Sequence, residues 1–239
     1  MNFLELLKQG KLIGAHRGSC KLAPENTLSA IKASVGRCDF IEVDVQLSSD
    51  GIAIVIHDDS LERTSNASGK VCDFTFKELS AFDYGSWFDG KYEALLSLND
   101  TLKFIKENSL YLIIEIKDMH RHVDDEKVVD TIFKEIEKYY VQDLVMISSF
   151  RAEYLPLCKE KIPSIPTALL VWKNHPKRVV EYLKKLHVDA YNMNDKLVDS
   201  NIITKLTDAG IFVNVYGEST IKNSDKLFAM GIAGVFVDI

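Results

Sequence analysis

The chain has 239 residues, 46% of them hydrophobic, enough for one substantial core. Its 29 Lys and Arg against 35 Asp and Glu leave a formal charge of −6, so no general attraction draws it to nucleic acid or an anionic membrane, and an anionic ligand must be attracted locally. Four scattered cysteines, Cys20, Cys38, Cys72 and Cys158, lack CxxC spacing, which argues against a zinc site and fits free thiols in a reducing compartment.

The opening MNFLELLKQGKLIGAHRG carries Glu5 and Lys8 within its early apolar stretch, so it lacks the hydrophobic segment of a signal peptide. No apolar run reaches the ~18 residues of a membrane-spanning candidate. A cytoplasmic protein without stable membrane insertion is expected. Further on, short β-branched runs alternate with helical patterns. Strands are predicted at Leu12–His16, Phe40–Asp44, Tyr111–Ile116, Leu144–Ser148, Pro166–Val171, Val188–Tyr191, Phe212–Tyr216 and Val235–Asp238. Amphipathic segments such as Thr27–Val35, Leu98–Asn108, Asp125–Tyr139, Lys177–Leu186, Asn201–Ala209 and Asn223–Met230 lie between most of them, with Gly210 and Gly231 placed as helix C-terminal glycines. Eight parallel strands joined by helical crossovers predict an α/β fold, a (β/α)8 TIM barrel, occupying residues 1–239 as a single domain.

One strand-like run, Ile52–His57, is left over. Its connection to Phe40–Gln46 is too short for anything but an antiparallel return, so it is a β-hairpin excursion beyond the barrel rim. A two-residue turn at Asp50-Gly51 sets His57 opposite Asp44, and one at Ser49-Asp50 sets it opposite Glu42. Both registers put His57 on the face of the two carboxylates, at the C-terminal mouth where barrel enzymes place their active sites. The stretch of about 59–98 that follows, rich in Gly, Ser and aromatics, is too long for a plain loop and predicts a small inserted subdomain or lid.

The residues at the predicted rim suit one chemistry. His16 and Arg17 end the first strand, and Glu115 and Lys117 sit two apart near the end of the third. Glu42, Asp44 and Glu115 suit a hard divalent cation, Mg²⁺ or Ca²⁺. His16 and His57 suit proton transfer, and Arg17 and Lys117 suit phosphate oxygens. These parts predict metal-assisted displacement at a phosphodiester.

The runs AHRG, APENT, IEVDVQLSSDG, VIHDDSLERTS, IIEIK and ISSF, in that order, resemble the glycerophosphodiester phosphodiesterase family from Ile13 to Asp238. The resemblance implies a (β/α)8 barrel that hydrolyses a small-molecule glycerophosphodiester to glycerol 3-phosphate and an alcohol. It implies His16 and His57 as the acid and base pair, Glu42, Asp44 and Glu115 as metal ligands, and phosphate contacts from Arg17 and Lys117. Attack by the substrate's own 2-hydroxyl or by water both remain open. Where the family often reads VWTVN this chain has NVYGES, with Tyr216 in place of the tryptophan, which bears on the pocket for the alcohol.

Each residue also has a plainer role. A single strand carboxylate is most often solvent-facing, but three with a histidine at one rim would repel one another without a purpose. Arg17 and Lys117 also read as salt-bridge partners of those carboxylates. Asn26 reads as a helix cap or an organiser of the first loop. Phe150 and Trp172 read as contacts to the glycerol or alcohol, or as rim packing. Phe82, Tyr84, Trp87 and Phe88 read mainly as the insert's own core, Asp58 and Arg63 as anchors of the hairpin end and the insert, and His120, His122, His175 and His187 as surface residues. Two rival functions share the site: a phospholipase D-like phosphodiesterase or lyase acting on lysophospholipids, and a barrel that binds glycerophosphodiesters without turnover. The oligomeric state is not legible.

Overall fold

The computed structural model describes residues 1–239. Its strands are β1 (Leu12–Ala15), β2 (Phe40–Leu47), β3 (Ala53–Val55), β4 (Leu112–Ile116), β5 (Val145–Ser149), β6 (Thr167–Val171), β7 (Ala190–Asn194), β8 (Phe212–Tyr216) and β9 (Gly234–Val237). All pair in parallel except β3, and β1 pairs with both β2 and β9, so the eight parallel strands close as a TIM barrel. Every expected strand forms with small shifts at its ends. The largest is in β7, which starts at Ala190 rather than Val188 and runs on to Asn194. Strands β2 and β4 to β7 are buried along their whole length, as β-branched runs covered on both faces must be.

A helix that the sequence reading did not include, α1 (Phe3–Gln9), closes the barrel floor. Its start is a capping box: the Asn2 side chain accepts from the Glu5 N–H, and the Glu5 carboxylate accepts from the Asn2 N–H. Phe3, Leu6 and Leu7 pack with Leu12, Phe40, Ile113, Met146 and Phe236. Phe40 fills the space beside β1, where a Cβ on Gly14 would lie 2.0 Å from its ring. The outer faces of β2, β4 and β5 are covered by helices Leu98–Asn108 and Asp125–Tyr139, which bury Leu102, Ile105, Val129, Ile132 and Phe133. Each such side chain contributes roughly 1.5–3 kcal/mol by leaving water.

The excursion is an antiparallel hairpin, as expected, but in neither expected register. Val45 faces Val55, Gln46 faces Ile54 and Leu47 faces Ala53. The turn is Ser49-Asp50-Gly51, closed by Ser48 N–H donating to the Ile52 carbonyl (3.0 Å), with Gly51 at φ 80°. Continued in this register, His57 would stand opposite Val43 and point away from the carboxylates. The ladder instead ends where the Ile56 N–H donates to the Asp44 carbonyl (3.0 Å), and the chain bends there. The Gln46 side-chain nitrogen lies 3.2, 3.2 and 2.7 Å from the carbonyls of Ile56, His57 and Asp58, so the bend is held by the residue two beyond Asp44 on the same face of β2.

The insert forms short helical turns at Val71–Asp73, Phe76–Leu79 and Ser86–Asp89 around a core of Ile54, Ile56, Leu61, Val71, Leu79 and Tyr84, with Phe74 and Phe82 packed on it. Trp87 is half-exposed and meets Phe88 edge-on. None of these aromatic residues lines the barrel mouth.

Candidate active site

The strands deliver the candidate residues to one rim. His16 and Arg17 follow β1, and the Arg17 N–H donates to Glu42 (3.0 Å). Arg17 (φ 55°) and Gly18 (φ 75°) turn the chain sharply here, and Gly18 is required because a Cβ would lie 2.8 Å from the Ala30 backbone. Asp44 is in register with Glu115 across β2 and β4, and single ligand oxygens of Glu42, Asp44 and Glu115 lie within 4.8 Å of one another.

All three carboxylates are buried. Burial, then the Asp44 charge, pushes Glu42 up to about 8 and raises Glu115 as well. Burial also acts against Asp44, but Lys117, His57, Arg17 and an Asn26 hydrogen bond hold it well below the usual carboxylate range. Lys117 Nζ stands 2.7 Å from Glu115 and 3.2 Å from Asp44. Such a trio cannot ionise fully on its own charges, whereas a hard divalent cation with oxygen ligands would let it; the donor set fits that ion.

Both histidines are held by a carboxylate. His16 Nδ1 lies 2.8 Å from Asp238 and His57 Nδ1 lies 2.6 Å from Asp58. Burial disfavours charge on His16, but Asp238 and Glu42 outweigh it and raise its pKa. For His57 burial prevails, helped by Lys117 and Arg17, and its pKa falls. The Arg63 hydrogen bond lowers Asp58 to about 2, so it stays ionised beside His57.

The plainer reading of Arg17 and Lys117 is also present in the structure. Arg17 Nη1 donates to Glu25 (2.8 Å), and its buried Nε stands 3.4 Å from Asp44 Oδ2, an ion pair without hydrogen-bond geometry. Asn26 departs from the expected cap: Thr27 caps helix α2 (Leu28–Ser34), while the Asn26 amide bonds to Asp44. His175 is no plain surface residue, since its ring nitrogens meet the Tyr191 hydroxyl at 3.0 Å and the Leu197 carbonyl at 2.9 Å. Sequence reasoning missed Asp238, Gln46 and Glu25. For Asp238 a signal existed, a carboxylate at the C-terminal end of the last barrel strand.

These groups open on a cavity of about 740 Å³. His16, Arg17, Glu42, His57, Glu115 and Asp238 line one part, and Phe150, Trp172, Lys196, Tyr216 and Glu218 another. The Tyr216 ring is stacked near Trp172 (centroids 6.2 Å) and edge-on to Phe150 (6.2 Å), and its hydroxyl donates to the Val171 carbonyl at 2.7 Å.

The model of the glycerophosphoryl diester phosphodiesterase family matches residues 16–239. The chain belongs to that family. It is an enzyme of the phosphoric diester hydrolase class. It is similar to the Bacillus subtilis protein YhdW (33% identity over 94% of this chain and 93% of that one). The glycerophosphodiester phosphodiesterase of Caldanaerobacter subterraneus subsp. tengcongensis is 30% identical over 95% of this chain and 93% of its own. Among solved structures, an Oleispira antarctica phosphodiesterase in complex with the product sn-glycerol-3-phosphate superposes with TM-score 0.90 at 27% identity, covering 98% of this chain and 95% of that one. The family and the fold anticipated from the motif runs are thus established.

Proposed function

We propose that this phosphodiesterase hydrolyses glycerophosphodiesters to glycerol 3-phosphate and an alcohol, with Glu42, Asp44 and Glu115 holding Mg²⁺ or Ca²⁺ and with His16 and His57 moving the protons. The observation that carries the reading is the convergence of two carboxylate-supported histidines on one cavity with a buried trio of carboxylates, of which Glu42 and Glu115 line that cavity. A bound divalent cation would neutralise phosphate charge and make phosphorus more electrophilic. The Arg17 guanidinium, whose Nε makes only a long 3.4 Å ion pair with Asp44, and the Lys117 ammonium are the protein donors suited to the phosphate oxygens.

The opposed pKa directions favour one division of labour between the histidines. His57, biased towards the neutral ring, takes the proton of the attacking hydroxyl, whether of water or of the glycerol 2-position. His16, biased towards the charged ring, donates a proton to the departing alcohol oxygen as its bond to phosphorus breaks. Asp58 and Asp238 keep each Nδ1 occupied, which leaves each Nε2 for transfer. Phe150, Trp172 and Tyr216 supply apolar surface to the glycerol or alcohol portion. Four free cysteines fit a cytoplasmic setting, and no helix is long and apolar enough to cross a membrane.

The test is glycerol 3-phosphate release from glycerophosphocholine, glycerophosphoethanolamine and glycerophosphoglycerol after metal stripping and readdition of Mg²⁺, Mn²⁺ or Ca²⁺, with His16→Ala and Glu42→Ala alongside. Release that returns with metal and is lost in both variants is expected. Release indifferent to metal, or turnover of lysophospholipids alone, would overturn the proposal.

A further inference from the structure

Arg63 belongs to the insert, outside the barrel, and its side chain is 43% exposed, yet all three of its guanidinium nitrogens are engaged. Nε donates to Asp58 Oδ2 (2.6 Å) and Nη1 to Glu25 Oε2 (2.7 Å), while Nη2 reaches both Glu25 Oε1 (2.8 Å) and Asp58 Oδ1 (3.0 Å). The two carboxylates it joins each hold a group at the phosphate end of the cavity. Asp58 Oδ1 meets His57 Nδ1, and Glu25 Oε1 accepts from Arg17 Nη1. A continuous chain therefore runs His57–Asp58–Arg63–Glu25–Arg17, and Arg63 is its only member contributed by the insert.

We propose that Arg63 is a positioning residue that sets two groups at once: through Asp58 it fixes the tautomer and orientation of His57, and through Glu25 it fixes the guanidinium of Arg17. The planar fork is what makes this possible. Two carboxylates approaching from different elements are met edge-on by one rigid plane of donors, which a lysine ammonium on a flexible stem cannot reproduce. The backbone beneath Arg63 is itself held, because Leu61 is fully buried in the insert's core and its N–H donates to the Gly69 carbonyl at 3.0 Å. The insert thus hydrogen-bonds to this chain through one side chain, and its folding bears on the site's geometry without lining the large cavity.

The inference rests on the reading of His57 and Arg17 as proton-transfer and phosphate groups, so the test has a readout independent of turnover. The full-length, metal-loaded protein labelled with ¹⁵N-histidine is compared as wild type, Arg63→Ala and Arg63→Lys, with His57→Gln to assign the ring signal. In the wild type the His57 Nδ1–H is protected and hydrogen-bonded; in both Arg63 variants it exchanges freely and the tautomer preference is lost. Turnover of a glycerophosphodiester falls about 100-fold in Arg63→Ala, chiefly in kcat, the scale expected when reacting groups are misplaced by about an ångström. Arg63→Lys recovers little of it, while added guanidinium ion recovers part of it in Arg63→Ala. A wild type that turns over no glycerophosphodiester, with the Nδ1–H still lost in both variants, would sink the functional reading and leave the positioning role standing. An unchanged His57 signal in Arg63→Ala, or full kcat in Arg63→Lys, would overturn the proposal.

Discussion

Asn26 and Asp44 hold each other twice: the Asn26 amide donates to Asp44 Oδ2 at 2.8 Å, and its oxygen accepts from the Asp44 N–H at 3.2 Å. The pair fixes both the rotamer and the backbone of a proposed metal ligand. Asn26 has φ 58°, so glycine is the substitution that removes the amide without adding backbone strain. Asn26→Gly is expected to weaken divalent-cation affinity by about 10- to 100-fold, the usual effect of losing a group that orients a ligand. Titration calorimetry with Mg²⁺ and Ca²⁺ checks it; unchanged affinity would leave Asn26 as a loop organiser only.

The two histidines predict a bell-shaped pH profile. The proposed base, His57, must be neutral, and its pKa is lowered, so activity rises with pH through a value below the ordinary imidazole pKa. The proposed acid, His16, must be protonated, and its pKa is raised, so activity falls as pH passes a value above the ordinary one. Asp238→Asn removes the negative charge that supports protonated His16 and is expected to move the alkaline limb to lower pH while leaving the acid limb in place. The profile of kcat/KM for both proteins decides it.

Metal-free protein is expected to lose stability as pH rises. The folded-state pKa of Glu42 is raised to about 8, above its unfolded value, so the protonated form stabilises the fold fully below the unfolded pKa and that contribution disappears as pH climbs towards 8. Thermal melts with a chelator at pH 5 and pH 8 should show the loss. Added divalent cation should restore Tm at pH 8, since it binds only the folded trio.

Phe40→Ala tests the barrel interior. Phe40 is 1% exposed and packs against Phe3 and Phe236 at centroid distances of 6.1 and 5.3 Å. A loss of about 3–5 kcal/mol is expected, because Gly14 beside it offers no side chain to refill the space. Urea unfolding measures it.

Trp172→Ala is expected to raise KM about fivefold for the preferred glycerophosphodiester, with little change in kcat. The side chain is exposed at the mouth and stacked near Tyr216, and aromatic contacts of this kind contribute about 1 kcal/mol. Steady-state kinetics on the three head groups checks it; a fall in kcat alone would place Trp172 in the chemistry instead.

The barrel was legible because hydrophobic period and turn residues act locally, and eight strands with crossovers between them admit few arrangements. The three carboxylates were legible for the same reason, since alternation along β2 puts Glu42 and Asp44 on one face. The register that places His57 is not legible, because it depends on the length of the hairpin turn. A three-residue turn shifts the pairing by one, and the chain then bends at Ile56–Asp58, where the Gln46 side chain bonds to carbonyls ten to twelve positions ahead. Asp238 is hard to pair because His16 lies 222 residues away, and Glu25 because it bridges Arg17, eight residues back, to Arg63, 38 residues ahead, which no local pattern announces. Helix α1 carried a readable capping box, but its short apolar stretch was weighed only as a possible leader.

The cavity is built to two standards of precision. At the end proposed for the phosphate each group answers to a partner: His16 to Asp238, His57 to Asp58, Lys117 to Glu115, Asp44 to Asn26. At the other end Phe150 and Trp172 stand exposed, and Lys196 and Glu218 make no ion pair. A substitution at the first end disturbs a network, whereas one at the second changes only what it touches. On the proposed assignment of the two ends, inherited variation can reshape the preference for the leaving alcohol step by step while the groups proposed for bond breaking stay as they are, and related enzymes that differ in head group should differ first on the wall of Phe150, Trp172 and Glu218.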